Sequence, residues 1–148
     1  MPPQKKKSVK LSEHFSSKDF MCKCDQCDGA LKISMGLLGG LELLRSNSHA
    51  RIEIIKGYVC PECEKINKKA KKNYHAIGLA ADIKIDGQTP VQLFKLAEAI
   101  PEFKGLGLNL TEKHVHVDTR KEIERKTWVE TQGEIIELTA ANRAQYLD

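Results

Sequence analysis

Aromatic residues make up only 5% of this 148-residue chain, so its core has to be built mainly from Leu, Ile, Val and Ala. Few aromatics and no recognisable nucleic-acid motif also leave little to stack on bases, and nucleic-acid partners are not expected. No apolar run approaches the roughly 20 residues that cross a bilayer, which excludes a helical span and a membrane partner. The N-terminal MPPQKKKSVK has the positive charge of a signal peptide but no apolar segment after it, so no export is expected. Internal repeats are lacking. Even cysteine pairing is lacking too, because five thiols cannot form a complete disulfide framework.

What is present reads as a soluble globular chain, 41% hydrophobic and 30% charged, long enough for one domain with a real core. The net charge of +4 is mild, and much of the excess sits in Lys5 to Lys7 and in 65-KINKKAKKN-73. Those runs read as a flexible tail and a solvated loop. In a functional version, the second run draws an anionic polymer toward whatever lies beside His75.

Residues 1–10 read as a flexible basic arm and 11–148 as one domain, with a C-terminal hairpin and helix from about residue 121. A turn into a short helix is expected in 12-SEHFSSKDF-20, and a helix in 33-ISMGLLGGLELLRS-46 with Ser34 as N-cap. A strand follows at 51-RIEIIKG-57, then a short basic helix in 60-CPECEKINKKAKK-72. A second strand, 79-LAADIKI-85, precedes a helix marked by Thr89 as cap and Pro90 at its first position. Strands at 106–110 and 114–119 come next, then a hairpin around Gln132-Gly133 and a last helix from about Thr139. Without regular βαβ alternation, the fold class is α+β, a small mostly antiparallel sheet with flanking helices.

Two stretches carry chemistry. In 73-NYHAIGLAADIKID-86, Asp82 lies inside an apolar run, where a carboxylate is costly unless paired, by a metal shared with His75 or by a plain hydrogen bond. In 114-HVHVD-118, strand geometry sends His114, His116 and Asp118 to one face and the valines to the other. If the two strands pair, two imidazoles and a carboxylate can converge with a fourth position open, which is a catalytic zinc arrangement.

The HxxGxAxD of His75, Gly78, Ala80 and Asp82, followed about thirty residues later by the HxH of His114 and His116, resembles the zinc D-Ala-D-Ala carboxypeptidases. That family also takes in L-alanyl-D-glutamate endolysins and the hedgehog signalling domain. The likeness extends over roughly residues 12–130, including LSEHFSSKDFMC, the 56-KGYVCPE-62 turn and HVDTR with Trp128 downstream. It implies a hedgehog-like fold with His75, Asp82 and His116 as zinc ligands. His114 would be a catalytic neighbour that stabilises the oxyanion or gives a proton to the leaving amine. Gly78 would allow the turn between ligands and Ala80 the packing behind the metal. Asp118 has no ligand role in that pattern, and on its own position it is expected to orient His116 or a nearby group. The implied activity is zinc-dependent hydrolysis of peptidoglycan stem peptides through a metal-activated water, as carboxypeptidase or endopeptidase. The implied setting is cytoplasmic, or phage-encoded with release to the cell wall.

The chain departs from that pattern in three places. The family's SGYR is 56-KGYV-59 here, so Val59 replaces a substrate-binding arginine and Lys56 is the nearby cation. The residues before the first ligand are Asn73 and Tyr74, which become the other candidate substrate contacts. The acid ahead of the last ligand is Glu112, four residues before His116 and about 13 Å from it along an ideal strand. The alternative reading is a non-catalytic zinc module of the same fold that binds a peptide or protein.

The cysteines form two CxxC pairs, 24-CDQC-27 and 60-CPEC-63, with Cys22 left over. Cys24, Cys27, Cys60 and Cys63 are thus candidates for a second, structural zinc. Otherwise they are small buried residues around the N-terminal turn.

Overall fold

The computed structural model describes residues 8–24, 27–62 and 73–148. In chain order these form α1 (Ser17–Phe20), α2 (Met35–Ser48), β1 (Ile52–Lys56), a 3-10 turn (Tyr74–Ile77), β2 (Ala80–Ile85) and α3 (Pro90–Glu98). Then come β3 (Gly105–Asn109), β4 (His114–Asp118), β5 (Lys126–Thr131), β6 (Glu134–Glu137) and α4 (Arg143–Leu147). The strands make one six-stranded sheet in the order β1-β2-β4-β3-β5-β6. Every neighbouring pair is antiparallel except β3 with β5, which is parallel. The α+β class with a mostly antiparallel sheet is what the sequence led us to expect.

Period-2 alternation divides the sheet into an apolar and a polar face. Ala81, Ile83 and Ile85 of β2, Leu106 and Leu108 of β3, Val115 and Val117 of β4 and Val129 of β5 are buried in one cluster. Leu37, Leu41 and Leu44 of α2 and Leu93, Phe94 and Ala97 of α3 join it. Asp82, His114, His116, Asp118, Gly105 and Gly107 alternate with these core residues and fall on the opposite face. The apolar run around Asp82 is therefore half core and half site.

The helices form where their caps dictate. Ser34 Oγ accepts from the Leu37 amide at 3.1 Å and starts α2. Thr89 and Gln92 exchange hydrogen bonds in a capping box ahead of α3, with Pro90 where its missing N–H costs nothing. Gly40 lets α2 sit against Phe103, since a Cβ there would come within 2.7 Å of the ring. At the far end of α3, the Arg125 guanidinium donates to the carbonyls of Glu98, Ile100 and Phe103, satisfying acceptors the helix end leaves open.

Three readings shift in detail. The last helix begins at Arg143 rather than near Thr139, because Thr139 and Asn142 each accept the other's backbone N–H and close a turn first. Val9 and Lys10, read as part of the arm, bond to Ser16 and Ser17. The basic helix expected within 60–72 falls largely on residues 63–72, outside the described residues. The hairpin turn lies at Gln132 and Gly133, both with positive φ as a two-residue loop requires.

Candidate metal centre

The register of β2 against β4 sets Asp82 directly opposite His116. Asp82 Oδ1 lies 3.0 Å from His116 Nδ1 and 3.4 Å from His75 Nε2. His75 reaches the carboxylate from the 3-10 turn ahead of β2. Asn73 Oδ1 accepts the His75 N–H at the start of that turn, and Gly78 closes it with φ of 76°. A Cβ on Gly78 would also approach the Lys32 carbonyl carbon to 2.7 Å, so glycine is needed twice over.

Both imidazoles are held from behind. His75 Nδ1 donates to the Gly57 carbonyl oxygen at 2.9 Å, which aims Nε2 at Asp82. His116 Nε2 is 2.7 Å from Asp118 Oδ2. Asp118 is fully buried and also takes a bidentate pair from Arg120, at 2.8 and 2.7 Å. A carboxylate behind a ligating imidazole fixes its orientation and raises its basicity.

The charges show what the centre requires. Burial alone would raise the Asp82 carboxyl, but hydrogen bonds and charge from His116 and His75 hold it far below the usual carboxylate range. Burial alone would lower His116, yet Asp118 and Asp82 push it up to about 9. Asp118 is likewise held below its ordinary range, its burial outweighed by Arg120 and His116. With a carboxylate at each nitrogen, the His116 ring bridges the two as an imidazolium.

A divalent cation fits this donor set. The two Asp82 separations bracket the edge of about 3.3 Å expected for a tetrahedral zinc with N and O ligands at about 2.0–2.1 Å. His75, Asp82 and His116 offer one ligand atom each, all within 4.8 Å of one another. His75, Asp82 and His116 would hold zinc in place of the proton between Asp82 and His116, and the hydrogen bonds to Gly57 and Asp118 are already made.

Glycines on β3 complete the centre. Gly105 stands opposite Asp118 and Gly107 opposite His116. A Cβ on Gly105 would lie 2.1 Å from the Asp118 carboxylate, and one on Gly107 would lie 2.5 Å from the Trp128 indole. Trp128, opposite Gly107 on β5, thereby lies across β3 with its ring centroid 5.4 Å from that of His116. The Arg120 guanidinium sits 4.4 Å from the centre of the Tyr74 ring and 5.3 Å from that of Trp128. Sequence reasoning gave Arg120 no role, although a buried Asp118 two residues before it called for a cation. Trp128 was noted without one; its signal was the GLG of β3, bare enough to take an indole.

The other candidates spread around this centre. His114 lies one strand period from His116, about 7 Å along β4. Its Nε2 is 3.1 Å from Glu112 Oε2, while its buried Nδ1 has no partner among the described residues. Glu112 sits in the turn between β3 and β4, its amide donating to Asn109 Oδ1, and it bonds His114 rather than a ligand of the triad. Lys56 stands opposite Asp82 across β1 and β2, beside a register shift. Val59 is buried, with its N–H on the His75 carbonyl.

Cys24, Cys27 and Cys60 come together, and among the described residues their companion is Cys22, the thiol that pairwise CxxC spacing leaves over. The Cys22 N–H donates to the Ala30 carbonyl at 2.9 Å. Cys63 lies outside the described residues.

The family model for peptidase M15 matches residues 13–118, well over half of the chain, including His75, Asp82, His116 and Asp118. The chain belongs to the peptidase M15 family. M15 enzymes are zinc-dependent peptidases, and the α+β sheet is consistent with the M15 fold. No curated protein matches the chain. Among the described residues, no helix is long and apolar enough to cross a membrane.

Proposed function

We propose that this M15 chain is a zinc metallopeptidase that hydrolyses amide bonds in peptidoglycan stem peptides, as a D,D-carboxypeptidase or endopeptidase. The observation that carries the proposal is the convergence of His75 Nε2, Asp82 Oδ1 and His116 Nδ1 with both outer ring nitrogens already bonded. Zinc bound there supplies Lewis acidity, polarising a carbonyl and lowering the pKa of water. The rest of the chemistry falls to the chain. Asp118 and the Gly57 carbonyl keep the imidazoles aimed, so no reorganisation is needed during reaction.

His114 and Glu112 form the proton relay. An unpartnered acceptor is cheaper to bury than an unpartnered N–H, so Nδ1 is the bare nitrogen and Nε2 carries the proton toward Glu112. Attack by water forms the new C–O bond and passes a proton to the pair. Cleavage of the C–N bond returns one to the departing amine, and the relay ends unchanged. Lys56 supplies a cation for a substrate carboxylate in place of the arginine that Val59 lacks. Asn73 is engaged in capping the ligand turn, and Tyr74 in stacking on Arg120.

Digestion of purified peptidoglycan and synthetic stem peptides by the zinc-loaded protein, read by mass spectrometry, tests the substrate class. A defined fragment identifies the bond. Intact stem peptides beside a metal-loaded centre would favour the non-catalytic binding module.

A further inference from the structure

The cysteines lie outside the proposed reaction, and they are placed too closely for ordinary core packing. Their four sulfurs come from two separate parts of the chain, Cys22, Cys24 and Cys27 from the loop after α1 and Cys60 from the segment after β1. All four lie within 4.8 Å of one another, with Cys24 Sγ 3.4 Å from both Cys27 Sγ and Cys60 Sγ. A disulfide needs about 2.05 Å between sulfurs. A tetrahedral zinc with Zn–S bonds of about 2.3 Å has S–S edges of about 3.8 Å, close to the spacing seen. Cys22 and Cys60 are buried and Cys24 and Cys27 half-buried, as in a closed structural site with no room for substrate.

We infer that Cys22, Cys24, Cys27 and Cys60 form a second metal site, a tetrathiolate that holds a structural zinc ion. The turn after Cys27 supports this, because Asp28 and Gly29 both take positive φ and reverse the chain around the sulfurs.

The position of the site gives it a consequence. Cys60 is three residues from Gly57, whose carbonyl fixes His75. Between them, the Tyr58 N–H bonds the Phe20 carbonyl at 2.7 Å and the Val59 N–H bonds the His75 carbonyl at 3.3 Å. Gly57 lies so close to Phe20 that a Cβ would meet its carbonyl oxygen at 2.5 Å. A metal joining Cys60 to the 22–27 loop therefore clamps the strip of backbone on which His75 rests. The inference stands without the peptidase reading, since it concerns only these thiols and that strip.

The test is cobalt substitution of the full chain in the His116→Ala background, which removes a ligand from the histidine centre. We expect one cobalt per chain with an intense thiolate-to-cobalt charge-transfer band. Cys22→Ser and Cys60→Ser should each lose the band, and Cys63→Ser should keep it. In the otherwise unaltered chain, elemental analysis should find two zinc ions, one of them released by a thiol-modifying reagent and not by mild chelation. Lack of a thiolate band, or a mass showing these cysteines as disulfides, would overturn the site. A band lost in Cys63→Ser and kept in Cys22→Ser would overturn this ligand set. Should a serine variant not fold, the reagent-released zinc of the unaltered chain decides the matter.

Discussion

At the residue scale, Asp82 and His116 explain each other. Each would be expensive in its surroundings alone, and each is charged because the other is there. Without metal, the folded-state value of His116 is near 9 against an ordinary 6.5. Its stabilising contribution is complete below about pH 6.5 and is lost as pH rises through 9. Asp82 and Asp118 are depressed, so their contribution is present above an ordinary 3.8 and disappears as pH falls below it. The melting temperature of the chelated protein should therefore fall between pH 6.5 and 9. Zinc loading should stabilise increasingly over the same range, since the metal competes with the Nδ1 proton. A flat profile for the chelated protein would contradict this electrostatic picture. Asp118→Asn keeps the shape but removes the charge behind His116, and should weaken zinc binding about 10- to 100-fold in a competition titration.

At the scale of elements, the centre depends on β3 as much as on the strands that carry ligands. Gly107→Ala pushes a methyl group into the Trp128 indole, with an overpacking cost of about 1–3 kcal/mol. Trp128 is the only tryptophan in the chain, so its fluorescence reports its own displacement. The emission of Gly107→Ala should shift toward that of an exposed indole, and its response to zinc should shrink. Unchanged emission would mean that the ring does not rest on β3. Legibility in the sequence varied by element for physical reasons. Caps such as Ser34 and Thr89 act locally, and period-2 alternation is strict where one face is core, so α2, α3, β2 and β4 could be read. The start of α4 could not, because Thr139 and Asn142 bind backbone amides in a turn as readily as at a cap. Cys22 was read as the odd thiol because CxxC spacing counts residues and does not see that Cys22 lies beside Cys24, Cys27 and Cys60.

At the scale of the molecule, the sheet carries a hydrophobic core on one face and a polar centre on the other, and β2 and β4 serve both. The motif residues His75, Asp82 and His116 were legible because ligand chemistry restricts residue type. The Gly57 carbonyl and Trp128 were not, because they reach the centre only through the strand order β1-β2-β4-β3-β5. Membership of the M15 family joins this architecture to a family of zinc-dependent peptidases, and the histidine centre holds its candidate metal ligands. The most direct measurement is the rate of stem-peptide cleavage as zinc is titrated into metal-free protein, for the unaltered chain and for His116→Ala. The rate should rise with occupancy of one site in the unaltered chain and stay at background in the variant. Equal cleavage by both proteins, or cleavage indifferent to zinc, would contradict that expectation.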